Sequence, residues 1–366
     1  VNGRPVYYYA NVNMENASVP MGAGQVILAS VQYAHVTGQN LSDQNVGLLI
    51  GYSSQILVDG NTIDNGSPYG ARLFHCSDCL IEGNSLEGDE IGIILDSSSG
   101  VALRSDELST CGIGIYIHYC DGIEVSGSEV SADTGINIYS STSVMVASNQ
   151  LLGCGAGVAV YSSTATIEDN LFEGITSNGI SVQSSNGGIH VLNNLLNDTN
   201  TGIRLWDSDG NEVRGNDISN STYGIYVDQS ASNLVTGNNV SFSSLGIMSN
   251  YCTGTIGSNN ITDCGEGVRA DNCSPLVIEG SNISRCNIGM NTYNSGGVIV
   301  QDNDITDCQT GVRIYYTSSA NVRNNDIHGG DNGIYVAGNS LSNVSANNII
   351  GCSQAGIFLY STENNV

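Results

Sequence analysis

The most regular feature of the chain is a short phrase, a glycine followed by apolar, any, apolar, typified by Gly202-Ile203-Arg204-Leu205-Trp206. Its glycines are Gly47, Gly70, Gly92, Gly114, Gly135, Gly157, Gly179, Gly202, Gly224, Gly246, Gly267, Gly289, Gly311, Gly333 and Gly356, with consecutive members 21 to 23 residues apart. A second landmark follows each glycine by 15 or 16 residues, an apolar residue usually preceded two positions earlier by asparagine: Asn61/Ile63, Asn149/Leu151, Asn193/Leu195, Asn216/Ile218 and Asn325/Ile327 are examples. Two registers held in phase this long define a repeat array in which each repeat buries its apolar face against its neighbours.

Within a repeat the apolar residues fall one, three, nine, eleven and sixteen places after the glycine, as in Ile136, Ile138, Val144, Val146 and Leu151 after Gly135. Such short alternations predict strands, too brief and too β-branched for helices. Polar clusters between them, such as Ser140-Ser141-Thr142-Ser143, predict corners. The fold class expected is all-β, a right-handed parallel β-helix (β-solenoid) of about 15 coils of about 22 residues, each with two main strands and a short third. At roughly 4.8 Å per coil this is a rod of roughly 70 Å. The asparagines suit corners that need positive φ, and their stacked amides can bond along the array. Asp106, Ser128 and Ser281 interrupt that ladder. Residues 1–23 fall outside the period, carry Tyr7, Tyr8 and Tyr9, and read as an N-terminal cap or extension; residues 24–366 read as a single solenoid.

Composition narrows the function. The nine basic residues are all arginine, and the formal net charge is −26, which excludes a nucleic-acid partner because phosphate binding needs a basic stripe. No run of 18 apolar residues is present, and the chain opens on Val1, so it is read as a mature exported protein with its signal segment removed. Ten Asn-x-Ser/Thr sequons, at Asn16, Asn40, Asn65, Asn197, Asn220, Asn239, Asn260, Asn272, Asn282 and Asn343, fit an extracellular glycoprotein.

The eleven cysteines form two ladders. Cys111, Cys154, Cys264, Cys286, Cys308 and Cys352 lie three residues after the sixteenth-place apolar residue, and Cys76, Cys120, Cys252 and Cys273 lie six after a glycine. Neighbouring coils bring Cα atoms to roughly 4.8 Å, inside the disulfide window of roughly 4.4–6.8 Å. Cys252 can therefore pair with Cys273, and Cys286 with either Cys264 or Cys308. The odd total leaves at least one thiol free or shared with another chain, and disulfides within and between chains are expected. Cys79 with Cys76 and His75 is a weak zinc signal.

Places two and four after the glycine point outward in this scheme and carry Phe74, Tyr116, His118, Tyr139, Tyr161, Trp206, Tyr226, Tyr293, Tyr315, Tyr335, Phe358 and Tyr360, interspersed with Arg72, Arg204, Arg269 and Arg313. This composition is that of a protein interface or a sugar platform, with cross-strand stacking as the purely local alternative. Asp304 and Asp326 fall at equivalent places on adjacent coils, a weak calcium site; Glu107 with Glu129 and Asp207 near Asp228 read as a solvated acidic face. No other metal and no cofactor is expected. His35, His75, His118, His190 and His328 are scattered, so no acid–base constellation is assembled and no catalytic residue is assigned.

The repeat resembles the parallel β-helix proteins, the broad family of carbohydrate-binding and sugar-hydrolase β-helices. Asn2-Gly3-Arg4-Pro5-Val6-Tyr7-Tyr8-Tyr9, followed by Ala23-Gly24-Gln25-Val26-Ile27-Leu28, is similar to the start of archaeal cell-surface members, and the acidic, lysine-free, cysteine-rich composition to a methanogen sheath protein. The resemblance implies a secreted structural protein that associates with itself, laterally and end to end, into a disulfide-crosslinked layer or sheath. The alternative it implies is a polysaccharide-binding β-helix, and less so a glycan lyase or hydrolase.

Overall fold

The computed structural model describes residues 1, 3–42, 46–65, 68–338 and 341–360. It divides into two units, Val1–Ser177 and Asn178–Val366. Both are parallel right-handed β-solenoids, together about 16 turns of about 22 residues, with no helix among the described residues.

One turn of the second unit illustrates the construction. Its strands are Thr201–Trp206, Glu212–Arg214 and Asp217–Ser219. Each pairs in register with its counterpart one turn on: Thr201 faces Tyr223, Glu212 faces Leu234, and Asp217 faces Asn239. Ile203, Leu205, Val213 and Ile218 point inward and are fully buried, so alternation along each short strand fills the core. In the first unit the third strand of two turns runs on into the next first strand, giving Glu107–His118 and Glu129–Tyr139, with a register shift at Ser109/Cys111. The tyrosine-rich segment is itself a strand, Val6–Ser18, stacked in parallel on Gln25–Thr37, and its register shifts between Asn13 and Ala17. Gln25–Thr37 is the coil ahead of the fifteen that begin at Gly47.

The recurrent glycine has a steric cause. A Cβ on Gly202 would lie 2.5 Å from the carbonyl oxygen of Gly224 and 2.7 Å from Ile218 Cγ2. Gly224 meets Gly246, and Gly267 meets Gly289, at the same 2.5 Å. Gly356, which no described turn follows, would meet only Ile349, at 3.8 Å. The next turn therefore imposes the glycine. Gly60 is favoured for a different reason: nothing lies near its Cβ position, but its φ is +61°, which Ser105, Ser148 and Asn193 also adopt at the equivalent place.

The asparagine ladder lies inside the solenoid. Asn216 Nδ2 donates to Asn238 Oδ1 at 3.0 Å, and Asn303 to Asn325 and Asn325 to Asn347 at 2.9 Å. Each amide also caps a core-strand carbonyl, as Asn216 does with Val191. Two expectations are corrected. The ladder residues do not take positive φ; the residue before each does, including Ser105, Ser148, Asn193 and Asp302. Consequently Asn194 and the buried Leu196 belong to the ladder register, and Leu195 is exposed. Asp106, Ser128 and Ser281 continue the ladder rather than break it. Asp106 accepts from Asn84 at 2.8 Å, and the backbone N–H groups of Asp106 and Asn259 donate to the Ser128 and Ser281 hydroxyls.

Asp106 carries a cost for its place. Its Oδ2 is buried without a partner, and burial pushes the carboxyl up from 3.8 to about 6, against the lowering effect of hydrogen bonds from Asn84. A carboxyl that binds its proton more tightly when folded contributes stability below its unfolded pKa and loses it as pH rises through about 6. Asp106→Asn is expected to stabilise the first unit by about 1–3 kcal/mol at pH 8 and by nearly nothing at pH 3.5; equal gains in denaturant unfolding at both pH values would contradict this account. Gly202→Ala is expected to cost about 1–3 kcal/mol through overpacking. Gly60→Ala should cost about 1 kcal/mol through φ alone. Unfolding midpoints in which Gly60→Ala costs more than Gly202→Ala would refute the steric assignment.

Candidate functional site

The outer face of the first strands gathers the aromatic residues. Trp206 is 37% exposed, Tyr139 and Tyr293 40%, and Phe358 42%, with Tyr360 open at 61%; Phe74, Tyr116, Tyr161, Tyr226, Tyr315 and Tyr335 are half-buried. In-register stacking brings equivalent rings together. Tyr293 stacks on Tyr315 at 5.8 Å and Tyr335 on Phe358 at 5.3 Å, while Tyr116, His118, Tyr139 and Tyr161 form a run. Each such pair contributes roughly 0.2–1 kcal/mol.

The expected stripe is broken. In the second unit a polar interval separates Tyr226 from Tyr293, occupied by Met248, Asn250, Arg269, Asp271 and Asn291. There Arg269 is bound to Asp271 at 2.9 Å and reaches Glu266 at 3.7 Å, and Asn250 donates to Asp228 at 2.9 Å. These carboxylates have structural partners.

A second aromatic column was not anticipated from the sequence. Tyr52, His75, Tyr119, Tyr251 and Tyr316 sit five places after their glycines, at corners with φ near +50°. The four tyrosines are 54–62% exposed. A bulky residue in this region is disfavoured, and ring contacts offset the cost: Tyr316 lies 4.4 Å from Tyr315, Tyr119 4.0 Å from His118, and Tyr52 4.9 Å from His75. Extending the period by one place would have revealed them.

Five of the nine arginines form two contrasting groups. Arg104, Arg214 and Arg285 are paired with Glu124, Glu212 and Asp263 at 2.6–2.8 Å, and Arg285 and Arg104 hold the carboxyls of Asp263 and Glu124 below their ordinary range. Arg204 lies over Trp206 and Tyr226, and Arg313 over Tyr315, at 5.1–5.6 Å. Neither forms an ion pair among the described residues. The aromatic face therefore holds positive charge that the strongly acidic chain does not neutralise in place.

Two grooves occur in the first unit. One of about 250 Å³ is lined by Asn11, Val12, Asn13, Ser30, Gln32 and Tyr52, where the register shift of the first strand opens it. The other, about 380 Å³, follows the bulge at Cys111 and is bordered by Ser131 and Asp133.

The cysteines are inside. All eleven are free thiols, ten buried and Cys352 half-buried. Cys76 neighbours Cys79, Cys252 neighbours Cys273, and Cys286 neighbours both Cys264 and Cys308; Cys111, Cys120, Cys154 and Cys352 have no such cysteine neighbour. Serine takes the same corner between them: Cys76 N–H donates to Ser98 Oγ, and Ser98 N–H to Cys120 Sγ. Links between chains meet a steric obstacle, because the corner turns these sulfurs inward toward carbonyl oxygens such as those of Phe74 and Asp271. The calcium reading is also revised. Asp304 and Asp326 are adjacent, the first exposed and the second half-buried, and Asp326 is taken up by Asn348 and His328, each at 2.8 Å.

These stacked turns define a right-handed parallel β-helix protein. Residues 223–366 match the family model described as right handed beta helix region, and residues 8–178 that described as periplasmic copper-binding protein (NosD). Among the described residues no group of three or more His, Cys, Asp or Glu side chains is placed to hold a metal ion. No curated protein matches the chain. Similar solved structures include PfbA, a surface adhesin of Streptococcus pneumoniae, at 11% identity over 91% of this chain and 83% of that one, TM-score 0.42. A tailspike mutant of E. coli bacteriophage HK620 has 10% identity over 89% and 72%, TM-score 0.47. An exopolygalacturonase from Thermotoga maritima has 10% over 92% and 84%, TM-score 0.35. No helix among the described residues is long and apolar enough to cross a membrane.

Alkylation of the native protein is expected to label Cys352 at least tenfold faster than the ten buried cysteines, read by peptide mass mapping. Comparable rates throughout would contradict the inward assignment.

Proposed function

We propose that the protein is an extracellular structural protein whose copies associate side by side into a surface layer, with the aromatic–arginine face of the first strands as the contact. The observation that carries this reading is the pair of uncompensated cations, Arg204 and Arg313, set among exposed rings on a chain of net charge −26. Tyr, Trp and Arg are the residues that interfaces favour. The third strands offer the complement, since Asp217 and Asp304 are exposed in one column. The buried cysteines support a lattice held by these contacts rather than by crosslinks between chains. A polysaccharide-binding reading draws on one observation, the amide-lined groove beside Tyr52, and would place sugar there rather than along the whole face.

Tyr139→Ser/Tyr161→Ser/Tyr315→Ser, and separately Arg204→Ala/Arg313→Ala, are expected to raise the concentration at which the protein assembles at least tenfold in sedimentation and light scattering. The β-rich circular dichroism should persist. Unchanged assembly with a large fall in thermal stability would reduce the rings to local stacking. Glycan binding that Tyr52→Ala abolishes while assembly is unaffected in all variants would favour the second reading.

A further inference from the structure

Two columns on the second unit carry charge at matching intervals. On the outer face of the first strands one column runs Arg204, Tyr226, Met248, Arg269, Asn291, Arg313, each residue paired in register with the next. Arg269 is bound to Asp271, which leaves Arg204 and Arg313, five turns apart, as the column's outward cations. On the third strands the other column runs Asp217, Asn239, Asn260, Asn282, Asp304, Asp326. Asp217 and Asp326 are likewise five turns apart, and only amides stand between Asp217 and Asp304. The contacts of Asp326 with Asn348 and His328 both fall on Oδ1, and its side chain is 51% exposed.

The match bears on how two copies meet. At about 4.8 Å per turn, both intervals are about 24 Å. Arg204 and Asp217 belong to one turn, and Arg313 and Asp326 to another. Two second units side by side and level therefore bring both arginines opposite a carboxylate. An offset of one turn either sets the arginines against Leu195 and Asp304, keeping one pair, or against Asn239 and Asn348, keeping none. Polarity is selected as well. Reversing one copy also pairs both arginines, but it turns Asp304 toward the turn that holds Tyr226 and Asp228, a second carboxylate, whereas parallel copies set it against Asn291 and Tyr293. Like charges facing one another penalise the reversed arrangement.

Building on the side-by-side reading above, we propose that the first-strand face binds the third-strand face of a second copy lying parallel and level with it, Arg204 to Asp217 and Arg313 to Asp326. The contact joins two different faces of identical chains, so it can recur from copy to copy. Trp206 and Tyr315, which lie beneath the two guanidinium groups at 5.4 and 5.1 Å, shield the pairs from water and strengthen them relative to open surface pairs.

Sedimentation of the full chain tests register and polarity, with circular dichroism as the check that each variant folds. Arg204→Asp and Asp217→Arg should each raise the assembly concentration about tenfold or more. Mixed in equal amounts, the two variants should assemble nearly as the parent does, because every contact between unlike chains then joins opposite charges. The chain carrying both changes should recover in the same way. Arg204→Asp with Asp326→Arg has the same net charge and should stay weak. Rescue by Asp326→Arg in place of Asp217→Arg would overturn the parallel alignment. Weakening by each single change with no rescue in the mixture would overturn the pairing and leave the side-by-side reading standing, whereas assembly indifferent to either change would overturn both.

Discussion

Everything in this molecule depends on one distance, the close approach of each turn's recurrent glycine to the carbonyl of the next. Where Gly202 meets Gly224 there is no room for a methyl group, and the strands on either side are held in register. A structure that repeats at a fixed interval turns each place in the repeat into a column. Apolar places become the core, as with Ile203, Ile225 and Ile247. Amide places become the internal ladder, and outward places become rows of rings. The chemistry of any column is then set by its occupants and by an interval they cannot change.

That constraint explains why similar residues behave differently. Arg285 and Arg104 find carboxylates on an adjacent turn and are neutralised locally. Arg204 and Arg313 have aromatic neighbours in their columns and keep their charge for outside contact. Buried cysteines substitute for serine at corners where a small polar group is already accommodated, as Ser98 shows between Cys76 and Cys120.

The sequence discloses most of the fold, because a glycine and an apolar residue kept in phase admit few architectures. It discloses the columns less well. In Leu192-Asn193-Asn194-Leu195-Leu196 two asparagines are followed by two leucines, and pattern alone cannot say which pair faces inward; packing selects Asn194 and Leu196. Spacing assigns the cysteines to columns, but whether a corner side chain points in or out is a matter of backbone φ, which the period does not encode. The corner tyrosines escaped notice because residues at positive φ are expected to be glycine or asparagine, and Tyr119 and Tyr316 are neither. Residues 6–18 lack the repeat's glycine yet form a strand. The missing glycine hid it.

The asparagine ladder has a consequence for chemical ageing. Asparagine deamidates when the backbone nitrogen of the following residue swings onto the side-chain amide, a motion that needs a loose local backbone. In the ladder that nitrogen is committed: the N–H of Asp217, after Asn216, bonds the carbonyl of Asn194 at 2.9 Å, and the N–H of Asn239, after Asn238, bonds that of Asn216 at 2.8 Å. The amide itself is held at both ends by neighbouring turns. Asparagines of this kind, among the most perishable residues in an ordinary loop, are here fixed in the geometry least able to react, so a chain rich in asparagine can keep its composition for as long as its turns stay stacked.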